Sequence, residues 1–177
     1  MKALVLGGTR SGKSAVAESW IKALADGRAV TYLATAVVHP TDSDHARRVA
    51  VHRQRRPVNW ITIEPDGEDG STLAHALSAS TGPVLLDSLG TWVASHHDGN
   101  EGFAIDTAPL LRALAARTDD TIVVSEEVGM SVHAPTVLGR RYTDVLGTLN
   151  QRVAALADRS VLVMAGQILP LSAQPPW

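Results

Sequence analysis

The chain contains no cysteine. Disulfides, thiolate zinc sites and cysteine nucleophiles are therefore excluded, and the composition is compatible with the cytosol. Long apolar runs are also missing, since no stretch approaches the roughly 18 apolar residues that a membrane helix needs. The apolar run at 3–6 is too short for the core of a signal peptide. We therefore expect a cytoplasmic protein without membrane insertion.

The chain also has little net charge, with a formal charge of -2 at pH 7. This balance argues against a protein whose whole surface is built to bind nucleic acid. With 177 residues, of which 45% are apolar, the chain is long enough for one domain with a hydrophobic core. We expect a single domain over 1–177 that ends in a short proline-rich tail at 172–177.

Short apolar runs rich in β-branched residues alternate with longer helical patterns. Most of these runs are continuously apolar, which is typical of strands covered on both faces. The alternation predicts an α/β fold with a mostly parallel central sheet and helices on both faces. The predicted strands are 3–7, 29–35, 59–64, 83–88, 121–126 and 160–166, and the predicted helices are approximately 13–25, 43–56, 71–80, 104–117 and 139–158.

The sequence GGTRSGKS joins the first predicted strand to the first predicted helix and matches the pattern GxxxxGK[ST]. Its glycines let successive N–H groups face phosphate oxygens, and the following helix adds its positive N-terminal end. Lys13 supplies a positive charge to the phosphates, and the Ser14 hydroxyl is placed to bind Mg²⁺. A chance match is the alternative, and the flanking strand and helix argue against it. The predicted phosphate-binding residues are Gly7, Gly8, Thr9, Arg10, Ser11, Gly12, Lys13 and Ser14.

Asp87 ends the predicted strand PVLLDS. P-loop proteins carry the acid that holds Mg²⁺ at the end of a neighbouring buried strand. We therefore predict that Asp87 binds metal or nucleotide. The alternative is that it caps the next helix, which begins near Ser88.

The segment DHARRVAVHRQRRP, 44–57, predicts a basic helix that contains His52. Neighbouring positive charge disfavours imidazolium, so His52 is expected to be largely neutral with a free lone pair. Such a ring beside a triphosphate can attack phosphorus, while arginines stabilise the leaving pyrophosphate. Two other interpretations stay open on this pattern alone, a solvated basic face and a nucleic-acid patch. The second is disfavoured because no aromatic residues are interleaved with the arginines.

Five sequence blocks occur in order: GGTRSGKS, then H-x₃-RP-x₂-W-x-T-x-E from His52 to Glu64, then LLDSLGTW at 85–92, EVGMSVHAP at 127–135 and LNQRVAALAD at 149–158. Together they resemble the bifunctional adenosylcobinamide kinase / adenosylcobinamide-phosphate guanylyltransferase family of cobalamin biosynthesis. The resemblance spans almost the whole chain.

This resemblance implies a P-loop NTPase-like fold and two reactions. The first phosphorylates the aminopropanol hydroxyl of adenosylcobinamide, with GTP or ATP as donor. The second transfers GMP from GTP to that phosphate through a guanylylated histidine, which His52 matches. The resemblance also implies Mg²⁺, a corrinoid substrate and a homotrimer. Beyond the phosphate loop, the nucleotide contacts it implies are Thr35, Ala36, Val37, Arg53, Gln54, Arg55, Arg56, Glu64 and Asp87.

Three positions depart from the family pattern. Arg53-Gln54-Arg55-Arg56-Pro57 stands where relatives often have Lys-Asp-Gly-Arg-Pro. Glu126 stands where asparagine is frequent, so only Glu127 is carried over from that block, as a residue that shapes the site. Asp87 is shorter than the glutamate that some relatives carry.

Two other functions compete with the bifunctional enzyme. A plain P-loop small-molecule kinase would use His52 only to contact phosphate, and it would gain no covalent GMP. A nucleic-acid-associated ATPase would show salt-dependent binding set by its arginines. The polar segment 95–102 is predicted to be a solvent-exposed loop and not a metal site, because His96 and His97 are adjacent and no spaced third ligand is evident.

Overall fold

The structure is a computed structural model that describes residues 1–36, 56–65, 70–99, 102–103, 105–130 and 134–172. Seven strands form one sheet in the order β3-β2-β4-β5-β1-β6-β7. All neighbouring pairs are parallel except β6 and β7, which are antiparallel. The elements are β1 (Lys2–Gly7), α1 (Lys13–Ala25), β2 (Thr31–Ala34), β3 (Ile61–Ile63), α2 (Ser71–Ala79), β4 (Val84–Asp87), α3 (Leu89–Ser95), α4 (Ala108–Ala116), β5 (Thr121–Glu126), α5 (Val137–Ala154), β6 (Arg159–Met164) and β7 (Gln167–Leu171).

The central strands are buried on both faces, so alternate residues enter two separate apolar clusters. On one face, residues such as Val5, Leu85 and Val124 pack against Ala17 and Ile21 of α1. The other face is covered by α2, α3, α4 and α5, whose contributions include Leu77, Trp92, Leu110 and Leu149. The mostly parallel α/β sheet with helices on both faces is thereby confirmed.

All six predicted strands are present, with bounds that differ by up to two residues. The seventh strand, β7, was not predicted. A two-residue turn at Ala165 and Gly166, with φ of 50° and 76°, reverses the chain after β6. Hairpin turns of this kind need positive φ at both positions, and alanine gives no signal for it. Proline disfavours a strand because it has no N–H to donate, but Pro170 lies in an edge strand, where proline is tolerated.

The helices depart from prediction mainly at their ends. Helix α4 begins at Ala108 and not at 104, with proline in its first turn. Helix α5 begins earlier than predicted, because the Thr136 side chain accepts a hydrogen bond from the Gly139 N–H and caps it. It ends at Ala154, four residues early. The predicted helix over 43–56, apart from Arg56, and the predicted tail over 172–177, apart from Ser172, lie outside the described residues.

The short helix α3 matches the helix expected to begin near Ser88, and only Ser95 of it overlaps the segment 95–102 that was predicted to be a loop. Ser88 caps this helix by accepting from the Thr91 N–H. The prediction of a solvent-exposed loop is wrong for His96, which is 7% exposed. Its ring packs edge-on against Trp92, and its Nδ1 lies 2.7 Å from the Trp92 carbonyl oxygen.

The structure also bears on membrane insertion. Among the described residues, every helix is too short or too polar to cross a bilayer.

Candidate functional site

Four parallel strands, β1, β2, β4 and β5, end at the same edge of the sheet, where side chains from separate parts of the chain meet. In open α/β sheets this carboxyl-terminal edge is where ligands bind. A cavity of about 260 Å³ opens there. The described residues lining it are Thr9, Arg10, Lys13, Ser14, Tyr32, Ala34, Ala36, Arg56, Glu64, Asp87, Ser88, Thr91 and Glu126.

The loop between β1 and α1 has a tightly turned backbone. Gly12 has φ of 97°, which favours glycine, and it directly precedes α1. A Cβ on Gly7 would lie 2.7 Å from the Val163 carbonyl oxygen of β6, so the loop needs glycine there as well. The loop is held from outside by the Gly166 N–H, which donates to the Ser11 carbonyl at 2.8 Å. This is the strand–loop–helix context that a phosphate-binding loop requires.

Lys13 points to the carboxylate at the end of β5. Its Nζ lies 3.5 Å from Glu126 Oε1 and 3.4 Å from the Gly8 carbonyl oxygen. Glu126 also accepts from Ser88 Oγ at Oε1 and from the Gly90 N–H at Oε2, both at 2.9 Å. The loop lysine, the end of β5 and the start of α3 thus meet at one carboxylate.

Asp87 is held by an aromatic hydroxyl and not by a helix cap. Tyr32 Oη donates to Asp87 Oδ2 at 2.7 Å, while Ser88 performs the capping. Burial, followed by the charge of Asp87, raises the pKa of Tyr32 well above its ordinary value. The tyrosine therefore stays a hydrogen-bond donor. The Arg56 guanidinium stacks on its ring at 3.6 Å from the centroid, and Arg56 also donates to Thr62 Oγ1 at 3.1 Å.

Thr35 ties the segment after β2 to the start of α3. Its hydroxyl donates to the Ser88 carbonyl at 2.6 Å and accepts from the Ser88 N–H at 2.8 Å. Thr91 Oγ1 lies 2.6 Å from the same hydroxyl. Because these polar groups satisfy each other, the ends of β2 and β4 are fixed relative to each other.

The structure brings most of the predicted binding residues to this edge. Thr9, Arg10, Lys13, Ser14, Ala36, Arg56, Glu64 and Asp87 line the cavity. Gly7, Gly12 and Thr35 shape the backbone around it, and Gly8 and Ser11 line a separate cavity. Predicted residues that lie outside the described residues are Val37, His52, Arg53, Gln54 and Arg55.

Sequence reasoning missed Tyr32, Thr91 and Glu126. Glu126, like Asp87, is a carboxylate at the end of a continuous apolar strand. The same pattern could therefore have predicted a place for Glu126 at the site. Tyr32 lies inside a strand, and only the pairing of β2 with β4 places it against Asp87. No local pattern in the sequence indicates that contact.

Comparisons with known proteins agree with the geometry. Residues 3–171 match the family model described as cobinamide kinase / cobinamide phosphate guanyltransferase. The chain is 36% identical over 177 residues to a bifunctional adenosylcobalamin biosynthesis protein, CobP, of Pseudomonas aeruginosa, covering 99% of both chains. It is 33% identical to the bifunctional adenosylcobalamin biosynthesis protein CobU of Salmonella typhimurium, covering 94% of this chain and 97% of that protein.

Among solved structures, the flagellar accessory protein FlaH of Methanocaldococcus jannaschii aligns with a TM-score of 0.48 at 11% identity. The alignment covers 94% of this chain and 74% of FlaH. This likeness is too weak to carry an argument. The family model and the relatives cover nearly the whole chain, and the chain therefore belongs to the cobinamide kinase / cobinamide phosphate guanyltransferase family.

Proposed function

We propose that the protein phosphorylates the aminopropanol hydroxyl of adenosylcobinamide and then transfers GMP from GTP to that phosphate. The products are adenosylcobinamide-GDP and pyrophosphate. The observation that carries this proposal is the cavity at the carboxyl-terminal edge, where the loop lysine, two strand-end carboxylates and Arg56 converge. A nucleoside triphosphate and an acceptor need such a set of cationic and acidic groups around the transferred phosphorus.

The triphosphate would lie on the 7–14 loop. Backbone N–H groups of the loop and the N-terminal end of α1 would face its phosphate oxygens. Lys13 Nζ would leave Glu126 for the phosphates, because a polyanion attracts it more strongly than one carboxylate. Arg56 and Glu64 would contact the nucleotide from the opposite wall of the cavity.

The donor set also fits Mg²⁺. The Ser14 hydroxyl and the Asp87 carboxylate line the same cavity and are oxygen ligands, which this cation prefers. Among the residues that the structure describes, no group of three or more histidine, cysteine or acidic side chains is placed to hold a metal. Mg²⁺ usually binds through one or two protein oxygens plus phosphates and water, so Ser14 and Asp87 suffice. The bound ion would neutralise charge on the phosphates.

The GMP transfer would proceed in two displacements. The neutral His52 imidazole attacks the α-phosphorus of GTP, a nitrogen–phosphorus bond forms, and pyrophosphate leaves. An oxygen of the corrinoid phosphate then attacks the same phosphorus and releases the histidine. His52 precedes Arg56 by four residues, and a fully extended chain of that length spans at most about 14 Å. Because Arg56 lines the cavity, this supports a role for His52 there.

The test is intact-protein mass spectrometry after incubation with GTP and Mg²⁺. We expect one acid-labile guanylyl unit per chain in the wild type and none in the His52→Ala variant. His75→Ala, an exposed histidine on α2, is the matched control and should be modified normally. No adduct on protein that binds GTP and phosphorylates adenosylcobinamide would instead identify a plain kinase.

The proposal includes a homotrimer located in the cytoplasm, with a corrinoid as the acceptor and no nucleic-acid partner. Among the contacts of the described residues at the site, none favours a nucleic-acid-associated ATPase.

A further inference from the structure

Glu126 is held in a fixed position at the site but has no assigned role. It ends β5, and its side chain is 22% exposed. Ser88 Oγ and the Gly90 N–H each donate to one of its oxygens at 2.9 Å. A carboxylate can accept about four hydrogen bonds, so these two contacts orient the group and leave acceptor capacity open.

The contact between Glu126 and Lys13 places the carboxylate beside the transferred phosphate. A loop lysine binds the β- and γ-phosphates, and Lys13 Nζ lies 3.5 Å from Glu126 Oε1. Lys13 can therefore reach both Glu126 and a phosphate on the loop, and the carboxylate loses its lysine contact when Lys13 turns to the phosphate. Once Lys13 has moved, Glu126 Oε1 is open to another group that presents a proton to it.

The acceptor hydroxyl of the kinase reaction is such a group. We propose that in this chain, where Glu126 replaces the asparagine that is frequent in relatives, Glu126 is the general base of the kinase half-reaction, an inference that rests on the proposed function. Glu126 Oε1 accepts the hydroxyl proton while the alcohol oxygen attacks the γ-phosphorus. The bond from the γ-phosphorus to its bridging oxygen breaks, and the nucleoside diphosphate leaves with that electron pair. The protonated carboxyl then returns its proton to water.

Asp87 is less suited to this task. The proposed Mg²⁺ would occupy a free oxygen of Asp87, because this carboxylate and the Ser14 hydroxyl line the same cavity, and Asp87 Oδ2 accepts from the Tyr32 hydroxyl. Glu126 accepts two hydrogen bonds, from Ser88 Oγ and the Gly90 N–H, and its Oε1 also contacts Lys13. When Lys13 moves to the phosphates, Oε1 has space for the acceptor hydroxyl. In this proposal Asp87 binds the metal ion, and Glu126 accepts the proton of the acceptor hydroxyl.

The two half-reactions differ in their need for a base. The kinase acceptor is an alcohol, whose proton must be removed as its oxygen bonds to phosphorus. The acceptor of GMP is a phosphate, which already carries negative oxygens at neutral pH. Loss of the Glu126 carboxylate should therefore damage the first reaction far more than the second.

The experiment compares Glu126→Gln with the wild type in two separate assays. One measures phosphorylation of adenosylcobinamide, and the other measures GMP transfer to chemically supplied adenosylcobinamide phosphate. Glutamine keeps the size of the side chain but is a much weaker base. We expect the ratio of kinase kcat to transfer kcat to fall by about 100-fold or more, the range general bases contribute. Asp144→Asn, an exposed carboxylate on α5, is the control and should leave the ratio unchanged.

An equal fall in both activities would overturn the proposal, because Glu126 would then only brace Lys13 and α3. An unchanged kinase rate would overturn it as well. Wild-type protein that transfers GMP to the supplied phosphate but never phosphorylates adenosylcobinamide would remove the kinase half of the proposed function itself. That result is distinguishable because it appears before any variant is compared.

Discussion

Tyr142 shows how one charge at the site affects a neighbouring residue. Its hydroxyl and the Glu126 carboxylate both face Gly90, where an added Cβ would lie 2.7 Å from Tyr142 Oη. Burial, and then the charge of Glu126, raises the pKa of Tyr142 to about 12. The folded protein therefore favours the neutral phenol more than the unfolded chain does.

This shift predicts a pH dependence of stability. An unfolded tyrosine loses its proton near pH 10, so between pH 10 and about 12 the folded state holds more protons. The stabilising contribution of the neutral phenol is complete below pH 10 and is lost as pH rises through about 12. Urea denaturation should show wild-type stability falling more steeply than that of Tyr142→Phe over this interval. Parallel curves would contradict the assignment.

At the same scale, a residue of the candidate site was predictable from the sequence when its type and its place in a local motif together indicate a role. Lys13 and Ser14 follow from the loop pattern, and Asp87 follows from its place at the end of an apolar strand. Tyr32 was not predictable, because its role comes from a neighbour that is 55 residues away in sequence. A contact of that kind depends on strand order, which no local pattern indicates.

At the scale of elements, the Arg117 side chain connects three parts of the fold: helix α2, the loop between α2 and β4, and strand β5. Only 9% of the residue is exposed. Its guanidinium donates to the carbonyl oxygens of Leu77, Ser80 and Gly82 at 2.7–2.9 Å. It also donates to Thr121 Oγ1 at 2.8 Å. Burial lowers the pKa of Arg117, and these acceptors offset part of that cost.

We expect Arg117→Met to lower the free energy of unfolding by about 3 kcal/mol, because it leaves buried carbonyl groups without a donor. Arg112→Met is the matched control, since Arg112 is exposed on α4, and it should change stability by less than about 0.5 kcal/mol. The measurement is urea denaturation followed by circular dichroism. A small effect of Arg117→Met would show that water replaces the guanidinium.

The helices and strands with the longest apolar runs in the sequence were predicted most accurately. The strands β1, β4, β5 and β6 are continuous buried runs, and each was placed within one or two residues. Helix α3 has seven residues and follows β4 after a single capping residue, so it is too short for a periodic signal. Strand β7 is exposed along its whole length, and no alternation of buried and exposed residues marks it.

At the scale of the whole molecule, the sheet has an apolar edge. Strand β7 is last in the sheet order, and Ile168, Leu169 and Leu171 are each more than 40% exposed, as is Met164 of β6. An unpaired edge with exposed apolar side chains favours association with another chain. We expect a second copy of this chain to cover it within the proposed homotrimer.

Native mass spectrometry of the wild type should therefore show a trimer, and Leu169→Glu should shift it toward smaller species. Leu138→Glu, at an exposed apolar position on α5, serves as the control and should leave the assembly intact. A wild-type monomer would contradict the homotrimer. A trimer unaffected by Leu169→Glu would locate the contact away from β7.

The position of β1 in the sheet has a consequence for how the protein is made. The strand that leads into the phosphate loop is synthesised before both of its sheet partners, β5 and β6, which lie far along the chain. The loop itself is pinned by Gly166, which is synthesised about 150 residues after Ser11. The nascent chain therefore completes its nucleotide cradle only after Gly166 has been synthesised, so nucleotide binding reports that synthesis has passed this turn as well as that the sheet has folded.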